Sequence, residues 1–215
     1  MIELLGVGVA RKRGGWLLHR VCADLESPHL TVVVSSEPAE RNALLDVVGA
    51  RVIPEEGRAW VDGLPVMRET RQRLRARVAD IDASAWHAER RSLEWSSLRG
   101  RYGVGALLHT LRAGAAEGLD PGARFQRALA AALGRRPSHL VVHELDAGLR
   151  GDELVISGRA LRSLVDAKRV SVLVSAARYG PLLSVADRLL IIEETQLVFD
   201  GRPAHASATV LALHH

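Results

Sequence analysis

The sequence contains few of the residues on which several protein classes depend. Cys22 is its single cysteine, so no disulfide can form within the chain, which excludes a disulfide-stabilised secreted domain. Two Tyr, two Phe and four Trp occur in 215 residues, so the core must be mainly aliphatic. No apolar run reaches the length of a membrane span, and the N-terminal basic cluster follows the apolar stretch, the reverse of a secretory signal. We therefore expect a soluble, cytoplasmic protein.

Lysine is nearly absent. Of the 29 basic residues, only Lys12 and Lys168 are lysines, and the net charge of +4 is a modest basic bias. Arginines cluster in "RETRQRLRARV" and "AERRSLEWSSLRGR", a pattern that a nucleic-acid-binding module also shows. The first cluster has no aromatic residue that could stack on a base, so a solvated surface is the favoured interpretation. Nucleic acid is not the expected partner.

Strand-like and helix-like segments alternate along most of the chain, which predicts an α/β fold with a mainly parallel sheet and right-handed crossovers. The N-terminal strands "IELLGVGVA" and "WLLHRVCADL" look antiparallel, and "PEEGRAWVDGLPV" predicts a hairpin with turns at Glu56-Gly57 and Asp62-Gly63. The other predicted strands are "LTVVVSS", "RARVADID", "SHLVVHE", "RVSVLVSAA" and the closing hairpin "LLIIEETQLVFDG". The predicted helices are "RNALLDVVGA", "PGARFQRALAAALGRR", "ELVISGRALRSLVDA" and "PLLSVADR".

The order of these segments resembles the nucleotide-binding subunit of ABC transporters over nearly the whole chain. The segments that carry the resemblance are "ALLDVVGARVIPEEGRAWVDGLPV", "RALAAALGRRPSHLVVHELDAGL" and "VADRLLIIEETQLVFDGRPA". The resemblance implies a single ATP-binding-cassette-like domain over residues 1–215. Its implied parts are an N-terminal antiparallel β subdomain, a P-loop NTPase core and a small helical subdomain at approximately residues 84–136.

The family's phosphate loop, G-x-x-x-x-G-K-S-T, falls on a segment that has neither glycine nor lysine. The resemblance places its two glycines, its lysine and its two hydroxyl residues at Ser35, Glu40, Arg41, Asn42 and Ala43. Such a loop needs free backbone N–H groups, a lysine on the phosphates and a hydroxyl on Mg²⁺. Pro38 removes one N–H, and the carboxylates of Glu37 and Glu40 come where phosphate would lie. We expect Arg41 to form a local ion pair or to cap the turn, and substitutions of Glu40 or Arg41 to cost little beyond the loss of a surface pair.

The family's other catalytic motifs depart from their pattern as well. The signature L-S-G-G-Q is replaced by "LDPGA", which puts Asp120 at its serine and retains Gly122. His143 stands at the magnesium-linked aspartate of the Walker B strand, Glu144 at the general base, and Ala176 at the switch histidine. Alternation along a strand predicts opposite faces for His143 and Glu144, and no metal site is expected. Glu144 is interpreted as an inherited residue with a structural role.

These departures predict a degenerate ABC-type subunit, a pseudo-ATPase that acts as a scaffold and needs no cofactor. Its expected partners are a competent ABC subunit, a membrane permease at the inner face of the membrane, or both, in a hetero- or homodimer. One alternative is an active transporter ATPase with altered motifs, which would use ATP and Mg²⁺. A second alternative is an arginine-rich nucleic-acid-binding module on the same fold.

Overall fold

Two β-sheets form the frame of the protein. The computed structural model describes residues 1–12, 14–83, 121–149, 151–167 and 170–206. The smaller sheet is antiparallel, with the order β2-β1-β4-β5. Its strands are β1 (Ile2–Ala10), β2 (Trp16–Leu25), β4 (Glu56–Val61) and β5 (Leu64–Pro65). The larger sheet has the order β10-β9-β3-β8-β7-β6, and all its neighbouring strands are parallel except the β9–β10 hairpin. Its strands are β3 (Leu30–Ser35), β6 (Val78–Asp82), β7 (His139–His143), β8 (Ser171–Ser175), β9 (Arg188–Glu193) and β10 (Gln196–Gly201).

Helices connect the parallel strands, which confirms the predicted α/β fold. They are α1 (Pro38–Val48), α2 (Arg71–Arg77), α3 (Pro121–Leu133), α4 (Leu145–Gly148), α5 (Asp152–Asp166) and α6 (Gly180–Leu183), with a 3₁₀ turn at Pro203–His205. None of the helices in the described part of the chain is long and apolar enough to cross a membrane.

Both faces of the larger sheet are covered, which explains why β3 is a continuous apolar run. Val33 packs with Leu44 of α1 in one hydrophobic cluster, which also includes the inner face of the smaller sheet. Val32 and Val34 point the other way and pack in a second cluster, with α3 and α5. Because successive side chains of β3 point to opposite faces of the sheet, this one strand contributes to both hydrophobic clusters.

Of the two turns predicted in the smaller sheet, one is confirmed and one is wrong. The turn at Asp62-Gly63 is confirmed, with φ of 49° and 71°, values typical of a two-residue hairpin. The predicted turn at Glu56-Gly57 is wrong, because Gly57 lies inside β4 with φ of +69°. A Cβ at residue 57 would lie 2.1 Å from the carbonyl oxygen of Gly6. This glycine therefore permits close approach of β1 and β4.

Helix α1 begins earlier than the sequence pattern indicates. It starts at Pro38, whereas the apolar pattern predicted a start at Arg41. Proline is tolerated there because the first helical residues need no intrahelical N–H donor. Helix α2 occupies the start of the segment predicted as the strand "RARVADID". Of the predicted helical subdomain, residues 84–120 lie outside the described residues.

Candidate functional site

Three parallel strands and one helix N-terminus meet at one edge of the larger sheet. Strands β3, β7 and β8 end there at Ser35, His143 and Ser175, and two residues separate the end of β3 from the start of α1. In open α/β sheets the carboxyl ends of the strands form the ligand-binding crevice. The residues predicted for the phosphate loop and the Walker B strand therefore come together, although they are about a hundred positions apart.

A bidentate ion pair between Arg41 and Glu144 occupies this edge. The Arg41 Nε and Nη2 donate to the two carboxylate oxygens of Glu144 at 2.8 and 2.6 Å. The Nη1 donates to the backbone oxygen of Ser35 at 2.8 Å. The two side chains are only 3% and 10% exposed. Each guanidinium nitrogen thus already has a protein acceptor, and three of the five N–H donors are used in these contacts.

Of the two roles expected for Arg41, the local ion pair is wrong, since its ion-pair partner lies 103 positions away, whereas the bond to the Ser35 backbone oxygen fits a cap on the turn. Glu40 is also buried, contrary to the expectation of an exposed residue. Its carboxylate accepts a hydrogen bond from the Ser35 hydroxyl at 2.9 Å and lies 3.6 Å from the Arg11 guanidinium. A carboxylate in the first turn of a helix is stabilised by the helix dipole. Glu40 therefore supplies at the N-terminus of α1 the negative charge that a phosphate would otherwise supply.

A chain of hydrogen bonds joins the remaining predicted site residues. The Ser175 hydroxyl accepts the backbone N–H of Glu144 at 2.9 Å and donates to Asn42 Oδ1 at 3.0 Å. The His143 Nδ1 lies 3.4 Å from the same Asn42 oxygen. Because Asn42 Oδ1 only accepts, a hydrogen bond between these two atoms requires the His143 form that carries a proton on Nδ1. Ala43 has no polar side chain and is buried in the α1 cluster.

The other side of His143 faces carboxylates. Its Nε2 lies 3.4 Å from Asp80 on β6 and 3.9 Å from Asp46 on α1. Arg51 binds the same two carboxylates, at 2.6 Å from Asp80 and 3.5 Å from Asp46. Burial lowers the pKa of His143, but the Asp80 carboxylate beside its Nε2 more than offsets this, so its pKa is raised. For Asp46, in contrast, burial is itself the main cause of a raised pKa.

Both His143 and Glu144 contact side chains of α1, so the prediction of opposite faces is wrong. His143 is the last residue of β7, whereas Glu144 has left-handed backbone torsions, with φ of 51° and ψ of 48°. Strand alternation ends at that residue, and the Glu144 side chain turns towards Arg41. Glu144 also forms the N-cap of α4.

The position predicted for the switch histidine contributes no side chain to this hydrogen-bond network. Ala176 is fully buried, and it packs in the cluster on the α3 and α5 side of the sheet. The next two backbone N–H groups, those of Ala177 and Arg178, both donate to the carboxylate of Asp146 at 3.0 Å. The segment after β8 is therefore fixed by Asp146, a buried residue in α4.

The retained glycine of the predicted signature lies at the start of α3. The backbone N–H of Gly122 donates to the carboxylate of Glu153 on α5 at 3.2 Å. The N-terminus of α3 is thus capped by a carboxylate from the same chain. Asp120, the other predicted signature residue, lies outside the described residues. Across the parts of the chain that the structure describes, no group of three or more His, Cys, Asp or Glu residues is arranged to hold a metal ion.

Comparison with solved structures identifies the architecture. The chain superimposes on cbiO1 of Clostridium perfringens, part of the ABC transporter complex cbiONQ, with a TM-score of 0.74 at 15% identity. The match covers 98% of this chain and 90% of cbiO1. The ATP-binding cassette MJ0796, in a dimeric state with ADP and phosphate, gives a TM-score of 0.70 at 14% identity over 94% of this chain and 99% of MJ0796. The fold is that of an ATP-binding cassette.

Sequence comparison agrees with this cassette fold. The phosphonates import ATP-binding protein PhnC of Thiobacillus denitrificans is 24% identical over 221 residues, which cover 90% of this chain and 84% of PhnC. No family model matches the chain. The predicted resemblance to ATP-binding subunits of ABC transporters is therefore confirmed.

Sequence reasoning missed three residues that organise the site of the cassette: Ser175, Asp80 and Glu153. Ser175 ends a strand of buried apolar residues, and a hydroxyl at such a position is a detectable signal. Asp80 interrupts the apolar strand "VADID", which predicts a buried charge that needs a partner. Glu153 has no such signal, because an acidic residue in the first turn of a helix is ordinary.

Proposed function

We propose that this chain is a non-catalytic ABC-type subunit, a pseudo-ATPase that serves as a scaffold in a transporter-like complex. The observation that carries the proposal is the buried Arg41–Glu144 pair. Arg41 stands at the predicted lysine of the phosphate loop and Glu144 at the predicted general base. In this arrangement the two residues bind each other.

The charges around Arg41 support the proposal that the chain does not bind nucleotide. A phosphate that took Arg41 would have to replace two charge-assisted hydrogen bonds and leave the Glu144 carboxylate buried without a cation. It would also meet the Glu40 carboxylate at the first turn of α1. Two like charges about 4 Å apart repel by about 4 kcal/mol at an effective dielectric of 20. The residues present do not suit a magnesium-bound triphosphate.

The cap on α3 supports the same conclusion from a second element. Helix N-termini bind anions through their free N–H groups and their dipole. Here the Gly122 N–H already donates to Glu153, and Pro121 has no N–H to offer. The N-termini of α1 and α3 thus both carry carboxylates of the chain itself. The resemblance implies that these two helix ends would face nucleotide in an active cassette.

The proposed role is that of a partner subunit. The cbiO1 protein is part of a transporter complex and MJ0796 forms a dimer, which supports pairing with a competent ABC subunit, with a membrane permease, or with both. A permease would hold the chain at the cytoplasmic face of the membrane. The competing function is an active ATPase subunit with altered motifs, and the similarity to an import ATP-binding protein favours it.

Thermal unfolding with and without millimolar Mg-ATP tests the proposal. A ligand at about 100 times its Kd stabilises a protein by about 2.7 kcal/mol, a rise in Tm of roughly 5 to 10 °C for a domain of this size. We expect no rise beyond that produced by sodium sulfate at matched ionic strength. A saturable, magnesium-dependent rise, together with ATP turnover that Glu144→Gln abolishes, would establish the competing function instead.

A further inference from the structure

The segment around α2 carries a dense group of arginines. Five arginines lie within ten consecutive residues, and together we call them the arginine surface: Arg68, Arg71, Arg73, Arg75 and Arg77. Helix α2 buries a single side chain, that of Leu74, so most of its circumference faces outwards. Arg68, Arg73 and Arg75 are exposed.

The segment of the arginine surface keeps a net positive charge, since it holds one carboxylate, Glu69, beside five guanidinium groups. Within the described residues, none of its five arginines forms an ion pair, whereas Arg11, Arg41, Arg51, Arg162, Arg178 and Arg188 all do. Arg71 donates to the backbone oxygens of Ala50 and Arg51, and Arg77 to that of Asp62. Carbonyl groups satisfy hydrogen bonding but leave a full positive charge in place.

Like charges are crowded within this surface. Arg71 and Arg75 are four positions apart on one helix, a spacing at which like charges destabilise the helix. Partial loss of solvation, and then the charges of Arg71 and Arg51, lower the pKa of Arg75, whereas the charge of Asp80 raises it. An anionic group placed on this surface would remove that repulsion.

We propose that the arginine surface is a docking site for an acidic segment of a partner protein. The planar guanidinium fork pairs two hydrogen bonds with one carboxylate, so closely spaced arginines suit Asp and Glu side chains. Met67, exposed beside Arg68, adds the apolar contact that is common with arginine in protein interfaces. This inference does not depend on whether the cassette binds nucleotide.

Two other anionic partners fit the surface less well. Single-stranded nucleic acid is held by stacking on aromatic side chains, and residues 66–77 contain none. A bilayer surface requires an apolar face that enters the lipid, and Met67 is the one large exposed apolar residue of that same segment. These alternatives predict that the surface binds nucleic acid or membranes more tightly than an acidic peptide, whereas the acidic-segment proposal predicts the reverse.

Two matched triple variants of the full-length protein test the proposal. The surface variant carries Arg68→Gln, Arg73→Gln and Arg75→Gln. The control variant carries Arg20→Gln, Arg159→Gln and Arg202→Gln, three exposed arginines elsewhere. Each removes three positive charges, so each has a net charge of 4 − 3 = +1. All six side chains are exposed, and unchanged circular dichroism and Tm will show that both variants fold.

The probes are a short fluorescein-labelled Glu-rich peptide with a central Leu, a single-stranded DNA oligonucleotide and phosphatidylserine vesicles. We expect the wild type to bind the peptide more tightly than the other two probes. We expect peptide affinity to fall about tenfold in the surface variant and less than about twofold in the control. Equal losses in both variants would mean that net charge alone causes binding, and stronger binding of DNA or vesicles would assign the surface to that partner; either result overturns the proposal.

Discussion

Arg41 and Glu144 are 103 positions apart in the sequence and joined by two N–H···O bonds of 2.8 and 2.6 Å. The pair connects α1 to the end of β7, and both side chains are buried. A buried pair of this kind contributes little net stability as a whole, but each partner depends on the other because an unpaired buried charge is costly.

This dependence gives a first prediction. Arg41→Ala should lower the free energy of unfolding by about 3 to 5 kcal/mol, because Glu144 is left buried without a cation. The matched double variant Arg41→Met/Glu144→Leu should recover most of that loss, since it removes both charges and keeps apolar volume. Urea unfolding measures both changes. A loss below about 1 kcal/mol in the single variant would mean that the pair is solvated.

A second prediction concerns the dependence of stability on pH. The pKa of His143 is raised in the folded protein, so its stabilising effect is complete below the ordinary histidine pKa and is lost as pH rises through the raised value. We expect the free energy of unfolding to fall as pH rises above about 6.5. His143→Gln should flatten that fall. An unchanged slope in the variant would assign the dependence to other groups.

His139 provides an internal comparison for the pH experiment. Burial lowers its pKa, although the Asp62 hydrogen bond at 2.9 Å acts in the opposite direction. Its stabilising effect is therefore present above the ordinary histidine pKa and is lost as pH falls through the lowered value. His139→Gln should change the acidic side of the profile and leave the alkaline side as in the wild type.

A third prediction concerns the sheet core. Val33 and Leu44 are fully buried in one cluster. Val33→Asp or Leu44→Asp should unfold the domain, because each places an unpaired charge among apolar side chains. Ile156→Asp, at an exposed position of α5, should leave the circular dichroism spectrum and Tm nearly unchanged. Equal tolerance at all three positions would contradict the packing.

A fourth prediction applies to a complex with a competent ABC subunit. If the chain has no working phosphate loop, all ATP turnover of the complex depends on the partner's own loop lysine. Substitution of that lysine should abolish turnover, whereas Arg41→Met/Glu144→Leu in this chain should leave it near the wild-type rate. Turnover that survives the lysine substitution would show that this chain supplies a catalytic site.

The strands and long helices were predictable from the sequence because local patterns determine them. The β-branched run of β3 and the apolar face of α3 both appear where predicted. Local patterns failed where a distant residue decides the outcome. Gly57 looked like a turn, but its positive φ serves the close contact with Gly6 across the strands.

The site shows the same division between local and distant determinants. The resemblance brought Arg41, Asn42, His143 and Glu144 to one place, and the structure agrees. It could not indicate that Arg41 pairs with Glu144, because the nearest carboxylates in sequence are Glu37 and Glu40. Glu144 reaches Arg41 because its backbone has left-handed torsions, and the alternation of side chains along a strand cannot predict such a residue.

The Arg41–Glu144 pair also constrains how this sequence can change over generations. Replacing either residue alone by an uncharged one leaves its partner as an uncompensated buried charge, and that protein is less stable than the starting sequence. Both positions must therefore change together, or a third substitution must first raise overall stability enough to tolerate the intermediate. Arg41→Lys would keep the charge but lose the bidentate geometry with Glu144, so even a return to the lysine of an active phosphate loop should cost stability.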